Sequence, residues 1–280
     1  MNKGYIKVVL ALLSVTGYMQ NLAFASEQDP STNSSNGTST QVLSANPEEA
    51  KQAAAIMADV LNIAKKHSKQ TKEYTVYDKI DDVTLYLKEV NGDEIGLIEF
   101  TIPNPDSYAN VVDLIWNPNG AVHVDEKFIE GSTPQTYNEN LVIIQQRYKS
   151  VLGNSQRYYH ALAGKFELSE NETAIVMASS NMNDHDGYYT NSKYVNPIVE
   201  SINSFCPDIN SQEDIRKGKL YKMYINLMAF FIKKEPKGVK VTHLSSVDAN
   251  VSWPLSLAAG KAKATKMFNF VKLRDIFKKE

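Results

Sequence analysis

The feature that most constrains this chain is a train of strand-like runs that resumes at Tyr137 and is interrupted only by short polar breaks. NENLVIIQQRYK, QRYYHALAGKFEL and ETAIVMASS follow one another closely, each rich in β-branched and aromatic residues. Neighbours joined by so few residues pair antiparallel, because a parallel return needs a crossover of about a dozen residues or more. A later pair, YINLMAFFIKK and VKVTHLSSVD, is joined by Glu235-Pro236-Lys237-Gly238, with Pro and Gly where a type I turn prefers them. Upstream, Val83, Leu85 and Leu87 alternate with Thr84, Tyr86 and Lys88, Asn91-Gly92 signals a hairpin turn, and Ile95 to Ile102 forms the return strand.

Helices bracket this meander. Asn46 is placed to cap a helix that has Pro47 at its first position and Glu49 three residues after the cap. Ala53, Ile56, Met57, Val60, Leu61 and Ala64 give that helix one apolar face, and Lys65, Lys66 and His67 close it. Asn104-Pro105 can start a second helix with the stripe Tyr108, Val111, Val112 and Ile115, ending before Pro118. Residues 193–205 read as strand or helix with equal ease. A terminal helix of about two dozen residues follows Pro254. Two early helices, a long antiparallel meander and one terminal helix describe an α+β fold.

The first residues read as an address. Lys3 and Lys7 precede an eight-residue apolar core, Val8 to Val15, and Ala23-Phe24-Ala25 supplies small residues at a cleavage site. Spanning a bilayer takes about 20 apolar residues, so the pattern is a signal peptide over 1–25 and not an anchor. Residues 26–45 are polar, with little to bury, and read as a disordered leader. The folded domain is expected over 46–280.

Composition excludes several functions. Thirty basic and 32 acidic residues give a net charge of −2, which lacks the excess of positive charge that displaces counterions from nucleic acid. The single cysteine, Cys206, excludes an internal disulfide and a cysteine-rich zinc site, and with no basic neighbour it reads as a structural thiol. Asn183-Asp184-His185-Asp186 matches no defined metal-ligand spacing and reads as a solvated loop. Neither a nucleophile elbow nor a dinucleotide fingerprint occurs, and Gly260-Lys261 lacks the other positions of a phosphate loop. No enzyme activity and no cofactor are therefore expected.

Two features ask for more than core filling. The terminal helix is apolar on more than one side: Leu257, Ala264, Met267, Phe268 and Val271 form one stripe, and Phe270, Leu273 and Phe277 extend another. Lys266 falls on what the pattern makes its outward side. In addition, Arg147 and Arg157 sit inside strand-like runs, and an inward arginine needs a carboxylate or an anionic ligand.

The leader ALLSVTGYMQNLAFA and the runs FTIPNPDSY, YNENLVIIQQRYKS, QRYYHALA, NPIVES, AFFIKKE and VKLRDIFKKE resemble the fam-a multigene family of rodent malaria parasites, which carries a START-type lipid-transfer domain. The wider START pattern is met at Leu114-Ile115-Trp116-Asn117-Pro118, with Asn117 replacing an acid, and at Arg157-Tyr158-Tyr159, where the family's Asp after the arginine is missing. Ser179 and Asp248 match the residues that end two of its strands. This resemblance implies a START-like helix-grip fold: a curved antiparallel sheet gripping a long C-terminal helix around an apolar tunnel. It also implies carriage of a phospholipid, phosphatidylcholine foremost, as cargo, with transient contact with membrane surfaces. Secretion would lead to the parasitophorous vacuole or onward to the host erythrocyte, although no arginine precedes Arg147 to begin an export motif.

The expected lipid-binding residues are Trp116, Arg157, Tyr159, Trp253, Leu257, Ala264, Met267, Phe268 and Val271, with the terminal helix as lid. Tyr158 joins the aromatics available for a choline cage. The alternative is a secreted surface or host-interaction protein that keeps the fold and has lost lipid transfer.

Overall fold

The computed structural model describes residues 46–69, 71–150, 155–188, 193–251 and 256–278. The predicted signal peptide, the polar leader and Trp253 lie outside the described residues.

Helix α1 (Pro47–Lys69) begins where its sequence signals place it, with Asn46 Oδ1 accepting from the Glu48 amide at 3.0 Å. Glu49 does not complete a capping box. Its carboxylate instead accepts from the Tyr137 hydroxyl at 2.6 Å, tying the helix to the sheet beneath it. The predicted apolar face is buried throughout, from Ala53 through Met57 and Leu61 to Ala64.

Among the described residues ten strands follow in one sheet: β1 (Thr75–Ile80), β2 (Val83–Val90), β3 (Asp93–Ile102), β4 (Phe128–Asn138), β5 (Leu141–Lys149), β6 (Gln156–Ser169), β7 (Glu172–Ala178), β8 (Tyr221–Lys222), β9 (Tyr224–Glu235) and β10 (Gly238–Asp248). Their order is β1-β2-β3-β10-β9-β7-β6-β5-β4, with the two-residue β8 parallel to β6 and every other pairing antiparallel. The β1–β3 and β4–β7 meanders are joined by the β9–β10 hairpin, which bonds β7 on one side and β3 on the other. Between β2 and β3, Asn91 and Gly92 both adopt positive φ, 53° and 81°, the conformation that a type I′ turn demands.

Helix α2 (Tyr108–Trp116) follows a 3-10 turn over 105–107 that Asn104 caps, and the short α3 (Glu213–Arg216) precedes β8. The terminal helix is broken. It runs as α4 (Ser256–Asn269), a 3-10 turn over 270–272, and α5 (Leu273–Ile276). The ambiguous stretch at 193–205 is irregular up to a 3-10 turn over 200–204. Asn196 explains why: its Oδ1 accepts from the Ile198 and Val199 amides while its Nδ2 donates to the Ser179 and Asn226 carbonyls. One side chain thus replaces the backbone partners that regular structure would supply.

The sheet separates two apolar cores. On one face α1 covers Ile95, Leu97, Ile143, Leu162, Val176, Leu227 and Leu244. On the other, α2, α4 and α5 lie with Ile98, Phe100, Ile144, Ile175, Ile225, Phe230 and Val241. The curved sheet grips the C-terminal helix as predicted, and it is within this second layer that space is left.

Candidate functional site: a cavity under the terminal helix

Between α4 and the sheet lies a cavity of about 1090 Å³. Strand alternation decides what lines it. Gln146 and Tyr148 enter from β5, Arg157 and Tyr159 from β6, Met228 and Phe230 from β9, and His243, Ser245 and Val247 from β10. Ala262, Lys263, Lys266, Met267 and Phe270 form the opposite wall. Five of the chain's eight methionines, Met177, Met182, Met223, Met228 and Met267, line this space. An unbranched, polarizable side chain can repack against occupants of different shape.

The polar groups fall into three sets. Deep in the cavity, the Tyr148 and Tyr159 hydroxyls both donate to Gln146 Oε1, and Gln146 Nε2 donates to the Pro118 carbonyl at 2.6 Å. On the helical side, Lys266 pairs with Asp125 at 3.2 Å and lies over the Tyr148 ring. Burial lowers the pKa of Lys266, and the Asp125 carboxylate works against that shift. Toward the 181–188 loop stand Arg157, Asp184 and Lys222. Asp184 is buried and receives Lys222 Nζ at 2.7 Å, His160 Nδ1 at 3.0 Å and the Tyr158 hydroxyl at 3.1 Å. Burial alone would raise its carboxyl, but His160 and Lys222 outweigh it and hold the group well below the usual carboxylate range.

Asp184 corrects a sequence expectation. The sequence of residues 183–186 reads as a solvated loop, yet Asp184 is the hub of a buried ion-pair knot, while its neighbour His185 pairs outside with Asp208. The partners, His160 and Lys222, are distant in sequence, so no local spacing could reveal them. Among the described residues no three His, Cys, Asp or Glu side chains gather as a metal site. Cys206 is exposed at the cavity rim and not a buried structural thiol.

The two arginines part company. Register pairs Arg157 with Tyr148 and Arg147 with Tyr158, which sets them on opposite faces of the sheet. Arg147 is buried away from the cavity, where Asp214 accepts from both terminal nitrogens at 2.6 and 2.8 Å and Glu130 lies 3.2 Å from Nε. Arg157 lines the cavity and, among the described residues, has no such carboxylate. Its Nη1 donates to the Ala249 carbonyl at 2.6 Å, and the guanidinium lies 5.4 Å from the Tyr221 ring centroid.

Of the other expected binding residues, Tyr159 and Met267 line the cavity. Trp116 does not: it packs at the edge of the second core with Lys165 over its ring. Ala264, Phe268 and Val271 join that same core beside the cavity instead of lining it. Tyr158 points to the opposite face with Ile215 and Leu220. The Leu257 side chain and Trp253 lie outside what is described. Lys266, read as outward, faces in. Sequence reasoning also missed Gln146, Tyr148 and His243, whose only signal is strand alternation once the register is known, and Asp125, which lies in the turn before β4 and carries no periodic signal at all.

No family model matches the chain, and no curated protein matches it. Solved structures do. The human StAR-related lipid transfer protein 5 is 10% identical, with 81% of this chain and 96% of that one covered and a TM-score of 0.59. The lipid transfer and protein localization domain of human StarD13 (DLC2) is 14% identical, with 79% and 97% covered and a TM-score of 0.53. Human STARD10 is 12% identical, with 75% and 78% covered and a TM-score of 0.52. The chain therefore has the START helix-grip fold.

Proposed function

We propose that this chain is a lipid carrier that holds a phospholipid in the cavity beneath α4, with phosphatidylcholine the first candidate. The observation that carries this reading is the cavity itself. At about 1090 Å³ it lies at the upper end of small-molecule sites, and its methionine lining suits flexible chains. Exposing acyl chains to water costs about 0.8 kcal/mol per methylene, so two chains with about 30 methylenes cost roughly 24 kcal/mol unless an apolar enclosure replaces the bilayer. The names of the similar structures, which include lipid transfer proteins, support the same reading.

In this proposal Arg157 and Tyr159 contact the head group, and α4, with Met267 against the lipid, is the lid. Leu257, Ala264, Phe268 and Val271 support it, and Trp253 stands as an outlying candidate. The N-terminal pattern supports secretion, and the resemblance to fam-a proteins supports delivery to the parasitophorous vacuole or the host erythrocyte, with transient contact with membranes. The test is extraction of the purified protein with organic solvent followed by mass spectrometry. About one phospholipid per chain is expected, and a protein that carries none would overturn the reading.

One observation favours a second reading, an interaction protein. The edge strand β1 exposes Val76, Tyr77 and Ile80, an unpaired apolar border of the kind that attracts another chain.

A further inference from the structure

Lys266 brings a positive charge into the helical wall of the cavity. Its ammonium stands 3.2 Å from the centroid of the Tyr148 ring and 3.2 Å from Asp125 Oδ2. Carboxylate and ring together form a socket for one positive charge. Every other part of that socket is fixed without the helix. Asp125 Oδ1 accepts from the Lys127 amide at 2.9 Å, and the Asp125 amide donates to the Ala121 carbonyl at 2.9 Å. Tyr148 is buried, anchored through its hydroxyl to Gln146 at 2.8 Å, met edge-on by Phe128 at 5.5 Å and stacked on Tyr159 at 6.4 Å. Asp125, its side chain 8% exposed, needs a cation, since an unpaired buried charge is costly. The only part supplied by α4 is the ammonium, and α4 is the wall that has to loosen if cargo enters from this side.

We propose that the Asp125–Tyr148 socket is a binding site for the organic ammonium group of an incoming ligand, and that Lys266 is a built-in stand-in which that group displaces. The inference rests on the lipid-carrier reading for the ligand's apolar part but not for the socket. Displacement exchanges one ion pair for another: Asp125 gives up Lys266 and takes the ligand ammonium, and no net charge enters or leaves the socket. In a zwitterionic lipid the anionic group lies a short linker away, so the freed lysine finds a new partner in the same ligand. A lipid without an ammonium offers nothing to Asp125 and leaves the stand-in where it is. Head-group selection and release of the helix thus become one event, because the group that recognises the ligand is the group that latches α4.

The test uses two short-chain probes that differ in the ammonium, dioctanoylphosphatidylcholine and dioctanoylphosphatidic acid, titrated calorimetrically into wild type, Lys266→Met and Asp125→Asn, with folding checked by circular dichroism. Removing the stand-in should tighten the phosphatidylcholine probe roughly tenfold, the range of a cation–π contact with a paired charge, without tightening the phosphatidic acid probe. Asp125→Asn should weaken the phosphatidylcholine probe by a similar factor and spare the other.

A lipid-free readout covers the socket alone. Tetramethylammonium chloride, against sodium chloride at equal ionic strength, should speed hydrogen exchange of the 260–270 amides in wild type but not in Lys266→Met. If phosphatidylcholine binds and Lys266→Met weakens it, or Asp125→Asn leaves it unchanged, the socket is not an ammonium site. If neither lipid binds wild type while tetramethylammonium still loosens α4, the carrier reading falls and the socket stands. Absence of both responses overturns the two together.

Discussion

His243 illustrates what the fold does to a single residue. Its ring stacks on Phe230 at 4.1 Å, meets Phe270 at 4.9 Å, and is fully buried. Nδ1 lies 3.1 Å from the Ala229 carbonyl, which can only accept, so Nδ1 carries the proton and Nε2 is left as an acceptor. Burial lowers its pKa to about 4, against the opposing hydrogen bond to Ala229. The unfolded chain therefore binds this proton more readily than the folded one. The stability His243 contributes is present above the ordinary histidine value, about 6.5, and is lost as pH falls from there toward about 4. Over that window the loss approaches about 3 kcal/mol, and burial lowers His67 and His160 in the same direction. Urea titrations across pH 4–7 should show this slope, and His243→Gln should flatten it; an unchanged slope would remove His243 as its source. The arginines make a second residue-scale contrast. Arg147→Leu removes a buried guanidinium from Asp214 and Glu130, whose part-exposed carboxylates can turn to water, and should cost about 1.5–3 kcal/mol in urea unfolding. Arg157→Leu loses one carbonyl bond and a ring contact, so it should unfold within about 1 kcal/mol of wild type yet load severalfold less phospholipid. Equal loading would remove Arg157 from the site. Neither arginine could be assigned from its own run of sequence. Both strands alternate, and only the pairing of Arg157 with Tyr148 tells which parity faces the cavity.

Elements were more legible than residues where one periodicity decides them. The Asn46 cap and the single face of α1 stand where the spacing puts them, and the Asn91-Gly92 and Glu235–Gly238 turns join the strands they were expected to join. The terminal helix was legible only in part. Both of its apolar stripes pack inward: Met267 of the first is buried, and in the second Leu273 is fully buried while Phe270 packs edge-on against Phe230 at 4.8 Å. What misled was the rule that a lysine marks the wet side of a helix, because the cavity wall holds a buried carboxylate that Lys266 satisfies. The seat of α4 depends on a small residue opposite. A Cβ placed on Gly96 of β3 would run into the Met267 sulfur and approach Leu85. Alanine can be met by a swing of the flexible methionine, whereas leucine has no room. Gly96→Leu should therefore lift α4, cost about 1–3 kcal/mol as overpacked sites do, and speed hydrogen exchange in α4 while the β3–β10 pairing stays protected. Equal protection of α4 in wild type and mutant would show that Gly96 does not set its position.

At the scale of the molecule, one sheet serves two layers with opposite demands. The α1 face is packed solid and is the layer that hydrophobic spacing describes well. The α4 face encloses space, and space has no residue of its own, so only the resemblance to START domains anticipated a tunnel. A chain built this way folds around one complete core and keeps a second with space inside it, which in the proposed reading a lipid completes. Cargo should then act as a stabilising ligand, raising the melting temperature in proportion to saturation. Met177 and Met228 offer a way to separate the two roles. They face each other across the β7–β9 pairing, and both line the cavity. Replacing the pair with tryptophan puts two large rings side by side where the void is. A void has no contact partners on one side, so filling it regains dispersion contacts and does not cost stability. The double variant should melt no lower than the lipid-free wild type, and added phosphatidylcholine should no longer move its transition. A Met177→Trp/Met228→Trp protein that still extracts with about one phospholipid per chain would place the cargo elsewhere on the molecule.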